Sequence, residues 1–246
     1  MQRTLLTEGV DITYLKQDEW HRTSAVLVDL NDQGERSFTF MVRPSADLFL
    51  ETTDLPCWRH GEWLHLCSIA LSAEPSRTSA FTAMTAIRHA GGFVSFDPNI
   101  REDLWQDEHL LRLCLRQALQ LADVVKLSEE EWRLISGKTQ NDREICALAK
   151  EYEIAMLLVT KGAEGVVVCY RGQVHHFAGM SVNCVDSTGA GDAFVAGLLT
   201  GLSSTGLSTD EREMRQIIDL AQRCGALAVT AKGVMTALPC RQELEW

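Results

Sequence analysis

The run from Asp186 to Asp192, Asp-Ser-Thr-Gly-Ala-Gly-Asp, carries the densest set of residues that could do chemistry, and it leads directly into an apolar stretch. Glycines just before a helix let backbone N–H groups converge on a ligand, and the helix dipole adds partial positive charge. The pattern therefore predicts an anion site suited to a phosphate. Asp192 could accept a proton from a hydroxyl that attacks a bound phosphoryl group. A tight turn followed by an ordinary helix N-terminal carboxylate would give the same pattern.

A second group of polar residues, Asp97, Asn99 and Arg101, follows the apolar run GGFVSFD. Open α/β sheets bind ligands at the carboxyl edges of their strands, and an arginine there can bind a phosphate through two parallel hydrogen bonds. A simple Asp-Pro-Asn turn that ends the strand explains the same residues without a ligand. His175 and His176 are adjacent on a predicted strand and point to opposite faces, so they cannot chelate one metal ion.

The elements that must position these residues alternate between short apolar strands and helices. Strands are predicted at WLHLCSIA, GGFVSFD, ADVVKLS and IAMLLVTK, and helices at about 75–89, 107–121, 129–135 and 141–151. Strands that are apolar almost throughout and alternate with helices are typical of a mostly parallel sheet covered by helices on both faces. Two glycine-punctuated strands, an apolar helix after Asp192 and a long helix from about 210 to 230 complete this α/β pattern.

The region before this alternating pattern has a different character. Residues 1 to about 9 resemble the last turns of a helix that ends at Gly9, an unusual start for a mixed domain. The runs 23–30 and 37–42 are rich in β-branched and aromatic residues and are separated by turn formers, which predicts a β-hairpin with one exposed face. No linker-like tract interrupts the chain, so we expect one α/β domain with a hairpin appendage.

Composition excludes several classes of function. The 246 residues include 34 acidic and 23 basic side chains, a formal charge of −11, which is the wrong sign for binding nucleic-acid phosphates or an anionic membrane. No apolar run approaches the ~18 residues of a membrane span. The eight cysteines are far apart and form no metal-binding spacing, so we expect reduced thiols used as small core residues. A cytoplasmic protein that binds a small molecule is the expectation.

The run 186–199, DSTGAGDAFVAGLL, resembles the C-terminal signature of the ribokinase-like (PfkB) carbohydrate kinase family. Other segments agree with this family in order and spacing: RPSAD (43–47), FDPNIREDLW (96–105), VVKLSEEE (124–131), VTKGAEGV (159–166) and AVTAKGVMTALP (228–239). The PSAD and DPNxR segments are most similar to its fructokinase branch. The resemblance implies a doubly wound, mostly parallel sheet flanked by helices, with the hairpin at about 21–46 as a small lid.

Carried over to this sequence, the resemblance implies a role for most of the candidate residues. Asp192 would be the catalytic base, and Gly189, Ala190 and Gly191 would form the anion hole for the transferring phosphate. On the acceptor side, the implied substrate-binding residues are Arg43, Asp97, Asn99, Arg101 and Asp192.

Further matches to the family imply which residues bind the nucleotide and its metal ion. Thr160, Gly162 and Gly165 match the family's strand and turn that contact ATP, although an ordinary glycine turn between strands is the alternative. Lys126 stands where many members have asparagine in an N-x-x-E motif, and Glu129 matches the acidic end of that motif, which organises Mg²⁺ through water. Consecutive glutamates also suit a helix N-terminus.

Three positions carry weaker matches. Gln222 stands near the implied adenine pocket, where the family often has asparagine. Asp186 and Gly233 match the region where many members bind a monovalent cation such as K⁺, largely through backbone carbonyls.

The resemblance implies ATP-dependent phosphorylation of a sugar hydroxyl, with fructose converted to fructose 6-phosphate as the leading expectation. An aminoimidazole riboside or another nucleoside is the alternative acceptor, and a non-catalytic nucleotide-binding remnant or a structural module is the alternative class. Family members carry an additional N-terminal βαβ region before the point that matches Met1, so we expect residues 1–246 to be one N-terminally incomplete kinase domain. Pairing through the lid would give a homodimer.

Overall fold

The computed structural model of the chain describes residues 2–30, 36–41, 44–207, 210–233, 235 and 237–244. The strands are β1 (Val26–Leu30), β2 (Arg36–Phe40), β3 (Trp63–Cys67), β4 (Phe93–Asp97), β5 (Val124–Ser128), β6 (Met156–Thr160), β7 (Gly165–Tyr170) and β8 (Gln173–Ala178). The α-helices are α1 (Gln2–Thr7), α2 (Ser76–His89), α3 (Glu108–Leu121), α4 (Glu129–Ser136), α5 (Asp142–Glu151), α6 (Ala190–Thr205), α7 (Glu211–Ala228) and α8 (Arg241–Leu244).

Strands β3 to β8 form one mixed sheet in which the order in space follows the order in the chain. The pairs from β3 to β6 are parallel, whereas β7 pairs with β6 and β8 with β7 in the antiparallel sense. Arg171 and Gly172, both with positive φ (52° and 74°), make the two-residue turn between β7 and β8. The predicted α/β sheet flanked by helices is confirmed, and the antiparallel hairpin extends its parallel half.

Both faces of the central strands are buried because successive side chains of a strand point to opposite sides. Val124 and Leu158 pack in one apolar cluster with residues of α6 and α7. Val125 and Leu157 pack in the other cluster with residues of α2, α3 and α5. Burial on both faces explains why these strands are apolar along almost their whole length.

Local signals set the helix ends, and the four helices predicted between residues 75 and 151 are present to within one residue. Asp107 and Asn141 each accept a hydrogen bond from a backbone N–H of the first turn of the following helix. α4 ends at Gly137, which has left-handed dihedral angles. These caps are why the helix boundaries could be predicted from the sequence.

Two glycines let α6 approach α7 closely. A Cβ atom at Gly197 would lie 2.9 Å from the Cα atom of Ala221, and one at Gly201 would lie 2.7 Å from a side-chain carbon of Ile217. The contact fixes the position of α6, and therefore of its N-terminus, relative to α7.

The predicted hairpin is present as an antiparallel pair of β1 and β2 that forms its own two-stranded sheet. One exposed face was expected, but Val26, Leu27 and Val28 are 41%, 58% and 48% exposed, so both faces of β1 are exposed. The reason is that, among the residues that the structure describes, β1 pairs with β2 in a separate two-stranded sheet rather than in the helix-covered sheet. α1 ends ahead of Gly9, which has a φ of 75°, as the sequence predicts.

Two further expectations from the sequence, on membrane spans and on the cysteines, can be compared with the structure. Within the described ranges, no helix combines the length and apolar character needed to cross a membrane. All eight cysteines are free thiols. The expectation that they fill the core holds for Cys114, Cys169 and Cys224 but is wrong for Cys57, Cys184 and Cys240, which are exposed because they lie in loops.

Candidate active site

The Gly-Ala-Gly-Asp run forms the N-terminus of α6. Gly189 is the N-cap residue and has a φ of 82°, a conformation that glycine adopts without steric cost. The N–H of Ala190 donates to the carbonyl oxygen of Ser187 over 3.3 Å, whereas the N–H groups that follow it in the first turn have no acceptor within the helix and are available to an anion. Asp192 lies in this first turn and is exposed. The local geometry is that of an oxyanion cradle with a carboxylate beside it.

A buried ion pair contacts this turn. The Nζ atom of Lys126, on β5, donates to the two carboxylate oxygens of Asp97, at the end of β4, over 3.2 and 3.0 Å. The two side chains are only 10% and 4% exposed. A Cβ atom at Gly191 would lie 3.1 Å from the same Nζ atom, so the ammonium group lies close beside the turn.

The carboxylates around Lys126 influence one another. Burial raises the pKa of Asp97 to about 6, and the adjacent Lys126 ammonium group opposes this increase. The negative charges of Glu131 and Asp192 contribute to the raised pKa of Asp97. Asp97, Lys126 and Asp192 therefore form one electrostatic group in which a single cation faces several carboxylates.

Glu131 positions two of these elements and was not predicted as a functional residue. One oxygen of its buried carboxylate accepts from the N–H of Ile100 over 2.9 Å, and the other accepts from the N–H of Ser128 over 2.8 Å. Ser128 Oγ in turn accepts from the N–H of Glu131. The S-x-x-E spacing of a capping box was the signal in the sequence that could have found it. Glu129, the predicted metal-associated residue, is half-buried at the start of α4.

The residues after β4 behave largely as a turn. Asn99 has a φ of 43°, and the carbonyl oxygen of Pro98 accepts from the N–H of Ser68. Arg101 donates from Nη1 to the carbonyl oxygen of Ile100 over 2.8 Å. Of the three residues predicted here, Asp97 is the one that contacts Lys126. Asn99 has the backbone conformation of a turn residue, and the predicted ligand contacts of Asn99 and Arg101 both stay predictions.

A cavity of about 450 Å³ brings most of the predicted nucleotide residues together, although Lys126 is not among the residues that line it. The predicted residues in its wall are Thr160, Gly162, Gly165, Ala190, Gly191 and Gln222. Phe194, Cys184 and Gly225 also line it and were not predicted. Gly191 belongs both to this cavity and to the anion turn, so the two predicted subsites are continuous.

Gly165 cannot be replaced by a larger residue without rebuilding the turn beside the cavity. Its φ is 107°, and a Cβ atom would lie 2.0 Å from the carbonyl oxygen of Phe177 on β8. Thr160 Oγ1 donates to the carbonyl oxygen of Leu127, which anchors the end of β6 to β5. These contacts hold the turn at one wall of the cavity.

Asp186 joins the two loops expected to flank a monovalent cation. Its Oδ1 atom accepts from the N–H and the hydroxyl group of Thr188, and Oδ2 accepts from the N–H of Gly233 over 3.1 Å. The two predicted residues are therefore in direct contact. Arg43, the remaining predicted substrate residue, lies outside the described residues.

The acidic residues of the site suit Mg²⁺ bound together with a nucleotide. Across the part of the chain that the structure describes, no group of three or more His, Cys, Asp or Glu side chains could hold a metal ion. Mg²⁺ is usually bound by one or two carboxylates together with substrate phosphates and water. Glu129 follows β5 directly, at the edge of the sheet where Asp97 ends β4, and fits that kind of site.

Known proteins share this architecture. The family model described as pfkB family carbohydrate kinase matches residues 1–241. A fructokinase from Escherichia coli is 98% identical over 245 residues, which cover 100% of this chain and 80% of that protein. An aminoimidazole riboside kinase from Salmonella typhimurium is 35% identical over 244 residues, covering 99% of this chain and 76% of that protein.

A crystal structure of a fructokinase double mutant from Vibrio cholerae O395, with fructose, ADP and a potassium ion bound, superposes with a TM-score of 0.94. It is 46% identical, and the match covers 100% of this chain and 79% of that one.

Proposed function

The chain belongs to the pfkB family of carbohydrate kinases, and on this premise we propose that it transfers the γ-phosphoryl group of ATP to a hydroxyl of fructose, giving fructose 6-phosphate. The chief support is the position of Asp192 in the first turn of α6, beside an anion turn that shares Gly191 with the 450 Å³ cavity. Phosphoryl transfer requires three adjoining parts: a base, a cradle for the phosphate and a cavity for the nucleotide.

Asp192 acts as the general base in this proposal. Its carboxylate accepts the proton of the attacking hydroxyl group as the oxygen–phosphorus bond forms. Gly189 turns the chain so that the N–H groups of the first turn of α6 point at the transferring phosphoryl oxygens. The positive end of the α6 dipole also interacts favourably with the negative charge of a carboxylate in the first turn.

Lys126 supplies positive charge beside the anion turn. Its ammonium group lies beside Gly191 and is held by Asp97, so it needs little reorganisation when charge develops on the phosphoryl oxygens. Glu131 fixes this arrangement indirectly, because it ties the loop after Asp97 to the start of α4. In this proposal Lys126 stabilises the transition state, while Asp97 and Glu131 are positioning residues.

The donor nucleotide occupies the cavity, with the turn from Thr160 to Gly165 on one side and Gln222 of α7 on the other. Glu129 would hold Mg²⁺ through water, and the ion would neutralise charge on the phosphate oxygens. The loops joined by Asp186 and Gly233 would hold K⁺ through backbone carbonyls. The potassium ion in the V. cholerae fructokinase supports this last assignment.

Fructose is favoured over a riboside as the acceptor. The E. coli relative at 98% identity is a fructokinase, whereas the aminoimidazole riboside kinase is 35% identical. The V. cholerae structure that superposes with a TM-score of 0.94 holds fructose. These similarities to fructokinases support placing fructose ahead of the riboside.

The test is a coupled ADP-release assay with Mg²⁺-ATP and K⁺, in which fructose, ribose and aminoimidazole riboside are compared at equal concentrations. We expect ADP release that depends on fructose and is lost in Asp192→Asn. A preference for the riboside would overturn the choice of acceptor. Nucleotide binding by calorimetry without ADP release from any acceptor would instead identify a nucleotide-binding remnant.

A further inference from the structure

Away from this site, two cysteine side chains meet between α5 and the β7–β8 hairpin. The Sγ atoms of Cys146, on α5, and Cys169, on β7, are 3.1 Å apart. Cys169 is buried, whereas Cys146 is partly exposed. Neither residue lines the nucleotide cavity or contacts Asp192, so the proposed reaction leaves this pair of thiols without a role.

We propose that Cys146 and Cys169 are a thiol modification site, at which a peroxide converts the pair to an intramolecular disulfide that joins α5 to the β7–β8 hairpin. The sulfur atoms of a disulfide are about 2.05 Å apart, so the two must approach by roughly 1 Å. The two residues already face each other across a packed interface, and no segment has to unfold to bring them together.

The exposure of the two thiols sets the order of the chemical steps. The peroxide reaches Cys146 first; its sulfur attacks the O–O bond, giving a sulfenic acid and one water. The sulfur of Cys169 then attacks the sulfur of Cys146, the S–O bond breaks, and the hydroxyl group leaves as a second water with the proton of Cys169. Two thiols and one peroxide thus give one disulfide and two waters.

The electrostatics of Cys169 agree with this order. Burial raises the pKa of the Cys169 thiol to about 12, and the neighbouring Cys146 contributes to the increase. Cys169 therefore stays protonated and is a poor first target for an oxidant, but its proximity allows it to resolve a sulfenic acid on Cys146. A dithiol reductant would reverse the modification.

The disulfide would add a covalent link to an interface at which α5 already packs in the same apolar cluster as Cys169. α5 contacts the hairpin through an exposed hydrogen bond between His176 Nε2 and Asp142 Oδ1 and through a long contact from Cys146 Sγ to the carbonyl oxygen of Gly172. Cys169 lies four residues along β7 from Gly165, about 13 Å at ~3.3 Å per residue, so the nucleotide cavity stays open. We expect oxidation to stabilise the protein and to spare nucleotide binding.

The test uses the full chain treated with hydrogen peroxide, quenched with an alkylating agent and digested without reductant. Mass spectrometry should find a peptide that links Cys146 to Cys169, lighter than its separate parts by about 2 Da and absent after dithiol reduction. The melting temperature should rise by about 5 °C on oxidation, since the bond restricts the unfolded chain.

Variants distinguish this pair from the exposed thiols. Cys146→Ser and Cys169→Ala should each lose the linked peptide and the rise in melting temperature, whereas Cys57→Ser, at an exposed loop cysteine, should keep both. The proposal is overturned if peroxide oxidises exposed cysteines of the wild-type chain while Cys146 and Cys169 remain alkylated as separate thiols. Cross-links found only between chains would overturn it equally.

Discussion

Replacing Lys126 by methionine removes the one ammonium group that is bonded to Asp97, while keeping an unbranched side chain of similar length. Burial already raises the pKa of Asp97 to about 6 in the presence of Lys126. Without that cation, burial and the charges of Glu131 and Asp192 all favour the neutral carboxyl group, so the pKa of Asp97 rises further.

The size of the expected loss of stability, and its dependence on pH, follow from the linkage between proton binding and folding. A pKa raised from 3.8 to about 6 corresponds to roughly 3 kcal/mol at ~1.4 kcal/mol per unit. Because the folded chain binds this proton more tightly than the unfolded chain, the contribution of Asp97 to stability falls as the pH rises from about 4 to about 6 and is constant above that range.

Breaking a buried ion pair typically costs about 3–5 kcal/mol, which we expect for Lys126→Met at pH 8. At pH 5, where Asp97 is mostly protonated, the loss should shrink to about 1 kcal/mol.

Urea unfolding followed by circular dichroism at pH 8 and pH 5 measures these losses. Lys138→Met is the matched control, since Lys138 is 57% exposed and pairs with Glu144 at the surface, and it should change stability by no more than about 0.5 kcal/mol. The double variant Lys126→Met with Asp97→Leu should regain most of the lost stability, because an apolar pair replaces the ion pair. Turnover with fructose should fall about 100-fold or more in Lys126→Met. An equal loss of stability at both pH values would refute the reasoning, because a buried ionised carboxylate could not be its cause.

Three further predictions concern the carboxylates of the site. Asp192→Asn should lower turnover by about 1,000-fold or more while leaving the ATP dissociation constant within about threefold, measured by ADP release and calorimetry; an active variant would contradict the role of base. Glu129→Gln should raise the Mg²⁺ concentration for half-maximal rate by about tenfold, and an unchanged titration would remove Glu129 from the metal site. Glu131→Gln should lower the free energy of unfolding by about 1–3 kcal/mol, since the N–H groups of Ile100 and Ser128 lose a charged acceptor; a stability equal to that of wild type would show that these bonds contribute little.

Much of the fold could be predicted because its signals are local. The strands buried on both faces are apolar almost throughout, and Asp107, Asn141 and Gly137 mark helix ends through caps that involve residues at most four positions away. The antiparallel pairing of β7 and β8 is also local, since only Arg171 and Gly172 separate the two strands, whereas the exposure of both faces of β1 depends on what packs against that strand, which no local pattern reports.

The residues of the candidate site also divide into those that a local pattern identified and those that only the fold brings together. The anion turn is one contiguous run, so its glycines and Asp192 could be identified together. The Asp97–Lys126 pair joins residues 29 positions apart and exists because β4 and β5 are neighbours in the sheet. The S-x-x-E spacing from Ser128 distinguishes Glu131 from the two preceding glutamates, but only the folded chain shows that its carboxylate is buried and accepts from the N–H of Ile100. Gly225 lines the cavity from α7, far along the chain from the Gly-Ala-Gly-Asp run, so that run did not indicate it.

The glycine contact between α6 and α7 has a consequence for mutational scanning. Gly197 and Gly201 lie about 9 and 15 Å along the helix from Gly191, too far to touch a phosphate. Their substitution would nevertheless force α6 away from the backbone of Ala221 and displace the anion turn at its end. A selection for growth on the sugar would therefore score both positions as intolerant as Asp192, and a parallel measurement of protein abundance would be needed to separate lost packing from lost chemistry.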